Sequence, residues 1–195
     1  MAETPTHTYC GCGSQNQGTE STMRIRIENV TASIKLDRDI DIKRLSLEHI
    51  GMESSENHPM AIFRPTDAIA VQIYENGNVI STGARSTSES RRVIDETLQK
   101  LGLDHDPEDI QIRDIMASTI LDHDINLEKA YMAFDSIAEY NPEWFSGVIV
   151  HYDSIGTTGI IYSNGKIVVS GASNMDMVYD SLEAMRDVLT RMEHS

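Results

Sequence analysis

The chain has 195 residues, 39% of them hydrophobic, which is enough for one ordinary domain or two small ones with a packed core. No apolar run approaches the roughly 20 residues of a membrane span, and the N-terminus lacks the basic-then-apolar layout of a signal peptide, so a soluble, cytoplasmic protein is expected. Acidic residues outnumber basic ones 31 to 16, a net charge of −15, and that balance argues against unassisted binding to nucleic acid. Two origins fit the acidity: an ordinary solvated surface, or adaptation to a high-salt cytoplasm, where a Debye length of about 3 Å at 1 M screens repulsion from DNA.

Residues 1–22 read as a mobile tail, rich in Gly, Ser and Thr and without apolar periodicity. Both cysteines, Cys10 and Cys12, lie there. Two ligands fall short of the four usual for structural zinc, so no metal is expected; they read as surface thiols, with a dimer-bridging disulfide as the alternative. From Met23 the signals alternate. Arg24 to Val30 has the period of a strand, and Ile40, Ile42, Leu45 and Leu47 mark a short helix. Ala61–Arg64 and Ala68–Tyr74 are strand-like around Pro65-Thr66-Asp67, and Asn76-Gly77 predicts a two-residue hairpin turn. Ser86-Thr87-Ser88-Glu89 opens a helix on Val93, Ile94, Thr97, Leu98 and Leu101, which Gly102 ends.

The same order then returns. A strand near Gln111–Ala117, a helix over Leu127–Phe134, strands at Gly147–Tyr152 and Thr158–Tyr162, an Asn164-Gly165 turn into Lys166–Ser170, and a closing helix on Val178, Leu182, Met185, Val188, Leu189 and Met192 complete the chain. The wording repeats as well. Ile27 to Ile40 recurs about 85 residues later as Ile112 to Ile125, and Ile73 to Ala84 recurs about 88 residues on as Ile161 to Ala172. Two matches in one order at nearly one offset indicate an internal duplication. The predicted architecture is α+β: a tail over 1–22, one repeat over 23–106 and another over 107–195, building a curved antiparallel sheet with helices on one face. Strand parity places Gln72, Tyr74, Ile80, Thr82, Ile160, Tyr162, Val168 and Ser170 on the face left open, an apolar, hydroxyl and aromatic surface suited to binding.

These features resemble the TATA-box-binding protein family. The Ile-x-Asn-Val strand, Leu-Asp-x-Asp-Ile, Tyr140-Asn141-Pro142-Glu143-Trp144-Phe145-Ser146-Gly147 and the twin Gly-x-x-x-x-(Thr/Ser)-Gly-Ala turns carry the likeness from Met23 onward. It implies a pseudo-twofold saddle whose concave sheet binds A·T-rich double-stranded DNA through the minor groove, with aromatic wedges that kink the duplex. Phe145 and Tyr162 then match one wedge pair, and Tyr74 one wedge of the other. Asn29 matches a base-reading asparagine and Thr82 and Ser170 base-reading hydroxyls. Thr31, Met116, Ile80 and Val168 take the central apolar positions, Gln72 and Ile160 flank the wedges, Arg85 and His151 meet phosphate, and Glu143 and Trp144 receive transcription factor B.

The departures from the family are specific. Asp114 replaces the second central asparagine, and an ionised carboxylate only accepts hydrogen bonds where an amide also donates. Counting back from Tyr74 by the Phe145-to-Tyr162 spacing reaches Asn57, not an aromatic residue, with Pro59, Met60, Ile62 and Phe63 nearby. Asn78 and Ser173 stand where basic groups are expected. No catalytic constellation or cofactor motif is present; Asp37, Asp39, Asp122 and Asp124 read as helix caps and the histidines as surface groups. Two functions fit: an initiation factor that bends promoter DNA and recruits transcription factor B, or a divergent paralogue that regulates transcription through protein contacts with little or no DNA binding. Off DNA, a homodimer is the further partner expected.

Overall fold

A computed structural model describes residues 23–48, 52–55 and 58–193; the tail with Cys10 and Cys12, and Asn57, lie outside the described residues. Period-two segments form strands, and the amphipathic segments form helices over one side of them. The first half runs β1 (Arg26–Lys35), α1 (Ile42–Glu48), β2 (Met52–Ser55), β3 (His58–Phe63), β4 (Ala70–Tyr74), β5 (Asn78–Ala84) and α2 (Thr87–Lys100). The second runs β6 (Gln111–Ile120), α3 (Leu127–Phe134), β7 (Ala138–Glu139), β8 (Gly147–Tyr152), β9 (Thr157–Tyr162), β10 (Lys166–Ala172) and α4 (Met175–Glu193). One open antiparallel sheet holds all the strands in the order β2-β3-β4-β5-β1-β6-β10-β9-β8-β7. β1 and β6 join the two halves.

Alternation decides which face each side chain takes. Val30, Ala32 and Ile34 of β1, Ile115 and Ala117 of β6, Val71 and Ile73 of β4, and Ile167 and Val169 of β10 are buried on the helix side. Against them α2 sets Val93, Ile94 and Leu98, and α4 sets Val178, Leu182, Met185 and Leu189. Gly159 lets α4 come close: a Cβ there would overlap the Met185 thioether. Among the described residues no helix lies over the opposite face, and its residues remain partly exposed.

The repeated phrases have a joint structural meaning. After β1 the chain crosses the β4–β5 hairpin, where the Leu36 N–H donates to the Gly77 carbonyl (2.9 Å) and the Ile40 N–H to that of Glu75 (2.7 Å). Leu121 and Ile125 repeat this on Gly165 (2.9 Å) and Ser163 (2.8 Å). A side chain on Gly77 or Gly165 would strike the crossing backbone, and both glycines have positive φ, 82° and 78°. Each Leu-Asp-x-Asp-Ile strap therefore requires its partner Asn-Gly turn.

Several expectations change. The Asn-Gly turns are three-residue loops in which only the glycine is left-handed, the Gly77 and Gly165 N–H groups bonding Tyr74 and Tyr162 carbonyls, rather than two-residue turns. Asp37, Asp39, Asp122 and Asp124 cap neither helix: they face solvent between the apolar ends of the straps, and capping falls to Asp41, which accepts from the Arg44 N–H (3.0 Å), and Asn126, which accepts from that of Lys129 (3.0 Å). Leu47 is 88% exposed and outside the core, because α1 turns Ile42 and Leu45 inward and Leu47 lies off that side. Ser86 and Glu89 do cap α2: Ser86 Oγ accepts from the Glu89 N–H, and Gly102 ends the segment at φ 65°.

Two buried hydroxyl pairs break the repeat symmetry in opposite senses. Ser81 and Ser90 hydroxyls bond at 2.8 Å where the second half has Val169 and Val178; Thr157 and Ser181 bond at 2.6 Å where the first has Ile69 and Val93. Ser181→Ala, which strands the Thr157 hydroxyl, should cost about 1–3 kcal/mol in urea unfolding, and adding Thr157→Val should recover part of that loss. Additive losses would show that the pair is not coupled.

Candidate nucleic-acid interface

β1 and β6 run antiparallel about a pseudo-dyad at the Val30–Ile115 pair, with Asn29 opposite Met116 and Thr31 opposite Asp114. Since Val30 and Ile115 face the helices, these four residues form the centre of the open face. Ile80 and Thr82 of β5 flank them on one side, Val168 and Ser170 of β10 on the other. Gln72 lies opposite Ile80 and Ile160 opposite Val168. Every predicted central and flanking residue is thus on one surface.

Asn29 and Asp114 are held in the same way. β5 and β10 each carry a bulge against the central strands, at Gly83 (φ 101°) and Gly171 (φ 91°). The bulge turns a backbone N–H toward the centre: Gly83 donates to Asn29 Oδ1 at 2.7 Å and Gly171 to Asp114 Oδ1 at 2.5 Å. The Thr82 hydroxyl also reaches Asn29 Oδ1 (3.4 Å), and Asn29 Nδ2 donates to Thr31 Oγ1 (3.3 Å). Asparagine and aspartate therefore do the same structural work through Oδ1. They differ in the other terminal atom, a donor at Asn29 and an acceptor at Asp114.

The two ends of the face differ. At one, the rings of Phe145 and Tyr162 lie 6.1 Å apart at 59°, and Gly147, opposite Tyr162, leaves room for Phe145: a Cβ there would come within 3.0 Å of the ring. At the other, Met60 stands opposite Tyr74 and Ile62 opposite Gln72, whose Oε1 accepts the Tyr74 hydroxyl at 2.9 Å. Gly147 thus matches Met60, and the backbone position matching Phe145 is His58, one residue on from the Asn57 that spacing indicates. The chain from Met60 to its partner Tyr74 is one residue shorter than the matching stretch from Gly147 to Tyr162. Phe63 is no wedge substitute, since its ring lies under the Lys100 ammonium of α2, 4.6 Å from the centroid, on the helix side.

Charge at the seam departs from the repeat. Register shifts between β1 and β6 make Glu28 and Arg113 the extra residues of two related bulges. Glu28 accepts from Ser118 Oγ (2.8 Å) and pairs with Arg85 (3.0 Å), Arg26 (3.5 Å) and Lys166 (3.9 Å), whereas Arg113 Nε donates to Ser33 Oγ (2.7 Å). Arg85, predicted to meet phosphate, is already on a carboxylate. The Ser118 hydrogen bond, then the Arg85, Arg26 and Lys166 charges, hold Glu28 below the ordinary glutamate value of 4.5 against the opposing effect of burial. Sequence reading missed this cluster, although one signal was present: Glu28 and Arg113 are opposite charges within otherwise matching phrases.

Glu143 and Trp144 lie in the loop between β7 and β8, with Trp144 88% exposed. His151 pairs with Glu139 (3.5 Å). His105 is not a surface group: its ring is 4% exposed, with Nε2 2.9 Å from Asp95 and Nδ1 3.0 Å from the Leu103 carbonyl. Among the described residues no helix is long and apolar enough to cross a membrane, and no group of three His, Cys, Asp or Glu is placed to hold a metal.

The family model for transcription factor TFIID (or TATA-binding protein, TBP) matches residues 24–102 and 109–192. TATA-box-binding protein D of Halobacterium salinarum is 31% identical over 87% of this chain and 95% of its own length, and the TATA-box-binding protein of Sulfolobus acidocaldarius 33% identical over 87% and 88%. Among solved structures, Methanococcus jannaschii TBP matches with a TM-score of 0.74 at 27% identity, over 86% of this chain and 98% of that one. Together the ten-stranded sheet, its four helices and these matches define an α+β saddle of the transcription-factor class. The chain belongs to the TATA-box-binding protein family, which is not a family of enzymes.

Because Glu28 has a lowered pKa when folded, its contribution to stability is present above the ordinary glutamate value and is lost as pH falls through the lowered one. Glu28→Gln should therefore be less stable than the parent at pH 7, and urea titrations should show the gap closing below about pH 4.5. A gap independent of pH would mean that the carboxylate charge contributes nothing.

Proposed function

We propose that the open face binds A·T-rich double-stranded DNA in the minor groove, that Phe145 and Tyr162 wedge into a base step and bend it, and that the Glu143–Trp144 loop receives transcription factor B. The protein is then an initiation factor of archaeal type, working in the cytoplasm. One observation carries this reading: a sheet face that no described residue covers, on which Asn29, Thr31, Met116, Ile80, Val168, Thr82 and Ser170 surround a pseudo-dyad, with a pair of aromatic rings at its end. Hydroxyl and amide groups suit the acceptors that A·T pairs present there, and the apolar side chains suit a groove widened by bending.

Asp114 and the Glu28–Arg85 pair favour a second reading, a paralogue that binds proteins with weak or no attachment to DNA. Salt separates the two. The Debye length shrinks from about 10 Å at 0.1 M to about 3 Å at 1 M, so repulsion between a chain of net charge −15 and the duplex fades while contacts across the face persist. Titrating a fluorescent A·T-rich duplex from low to molar KCl, with and without transcription factor B, should give binding and bending at molar salt, tightened by the factor. No binding at any salt would leave the protein-binding reading.

Phe145→Ala should cost about 1–3 kcal/mol of DNA affinity, on the scale of base–aromatic stacking, and Met60→Ala less. Equal losses at the two ends would refute the asymmetry. Trp144→Ala should remove the stimulation by transcription factor B while leaving affinity for DNA alone unchanged.

A further inference from the structure

Asp114 is fixed by one oxygen and open at the other. Oδ1 takes the Gly171 N–H at 2.5 Å, and no hydrogen bond or ion pair reaches Oδ2 among the described residues. At the related position Asn29 uses Oδ1 in the same way and turns its amide nitrogen to Thr31, two residues on; Asp114 makes no such bond along its strand, because Met116 stands in the place of Thr31. The centre of the face therefore carries a donor on one side of the pseudo-dyad and a bare acceptor on the other.

The minor groove has a chemical counterpart for each. A·T and T·A pairs show only acceptors, adenine N3 and thymine O2, whereas a G·C pair adds the guanine 2-amino donor. Over an A·T pair the Asp114 carboxylate would meet an acceptor in a groove already negative. Over a G·C pair it would accept a charge-assisted hydrogen bond from the amine. Asn29 has the reverse preference. We propose that Asp114 makes this protein a reader of one G·C pair inside an otherwise A·T-rich site, at the central step under the second repeat. The inference rests on the minor-groove binding proposed above. A single G·C pair would then also fix which way round the pseudo-twofold protein lies, since only one orientation sets the amine against Asp114 and leaves Asn29 over acceptors.

The test uses the full-length protein, at the salt concentration giving the tightest binding, and an A·T duplex in which each central pair is replaced in turn by G·C, or by inosine·C, which lacks the 2-amino group. Fluorescence anisotropy should show one G·C placement bound about tenfold more tightly than the all-A·T duplex, on the scale of a base-specific contact, with inosine·C cancelling the gain. Asp114→Asn should lose the gain and bind the all-A·T duplex best. That variant keeps the oxygen that receives the Gly171 N–H, as Asn29 does for Gly83, and an unchanged urea midpoint would verify that it folds. Parent protein that binds all-A·T DNA best, or an inosine·C duplex as tight as the G·C one, would overturn the reading of guanine while leaving DNA binding intact. Absence of binding to every duplex at every salt would overturn both.

Discussion

Either half of this sheet alone would expose an edge, β1 in the first and β6 in the second, with a full row of unpaired backbone N–H and C=O groups. Pairing those edges with each other turns two five-stranded units into one ten-stranded surface. The open face depends on that seam. Its centre exists only where Asn29 meets Met116 and Thr31 meets Asp114, and the buried Val30 and Ile115 between them keep the central side chains pointing away from the helices. Neither repeat could make this centre alone.

The seam also makes small differences between the copies count. Asn29 and Asp114 share a backbone anchor through Oδ1, so the difference between them falls on the second terminal atom, which donates to Thr31 at Asn29 and is an acceptor at Asp114. Glu28 and Arg113 occupy matching bulges with opposite charge, one collecting Arg85, Arg26 and Lys166 and the other bonding Ser33. At the ends, Gly147 makes room for Phe145, whereas a methionine fills the matching place opposite Tyr74. The fold is nearly symmetric and its chemistry is not.

Much of this was legible in the chain, for local reasons. Alternation along β5 and β10 assigned the two faces, Ser86 and Glu89 marked the start of α2, and the duplicated phrases announced the pseudo-dyad. What escaped depends on contacts between distant segments. Met52-Glu53-Ser54-Ser55 has no apolar alternation and becomes β2 through its pairing with β3. The aspartates of the straps resemble caps until the straps are seen crossing hairpins. The position matching Phe145 falls at His58 rather than Asn57 because the pairing of Met60 with Tyr74 is not visible in sequence spacing, and a bulge such as the one at Glu28 is a property of two strands together.

The exchanged hydroxyl pairs bear on how the copies drifted apart. Ser81 with Ser90, and Thr157 with Ser181, are each matched in the other half by two apolar side chains rather than by one hydroxyl and one hydrocarbon. A lone buried hydroxyl is the unfavourable state between those alternatives. Divergence from a common ancestral repeat at these positions would have had to cross an intermediate less stable than either endpoint, so the two half-cores record paired steps, and a chimaera that splices the copies between β5 and α2, or between β9 and α4, would inherit the mismatch.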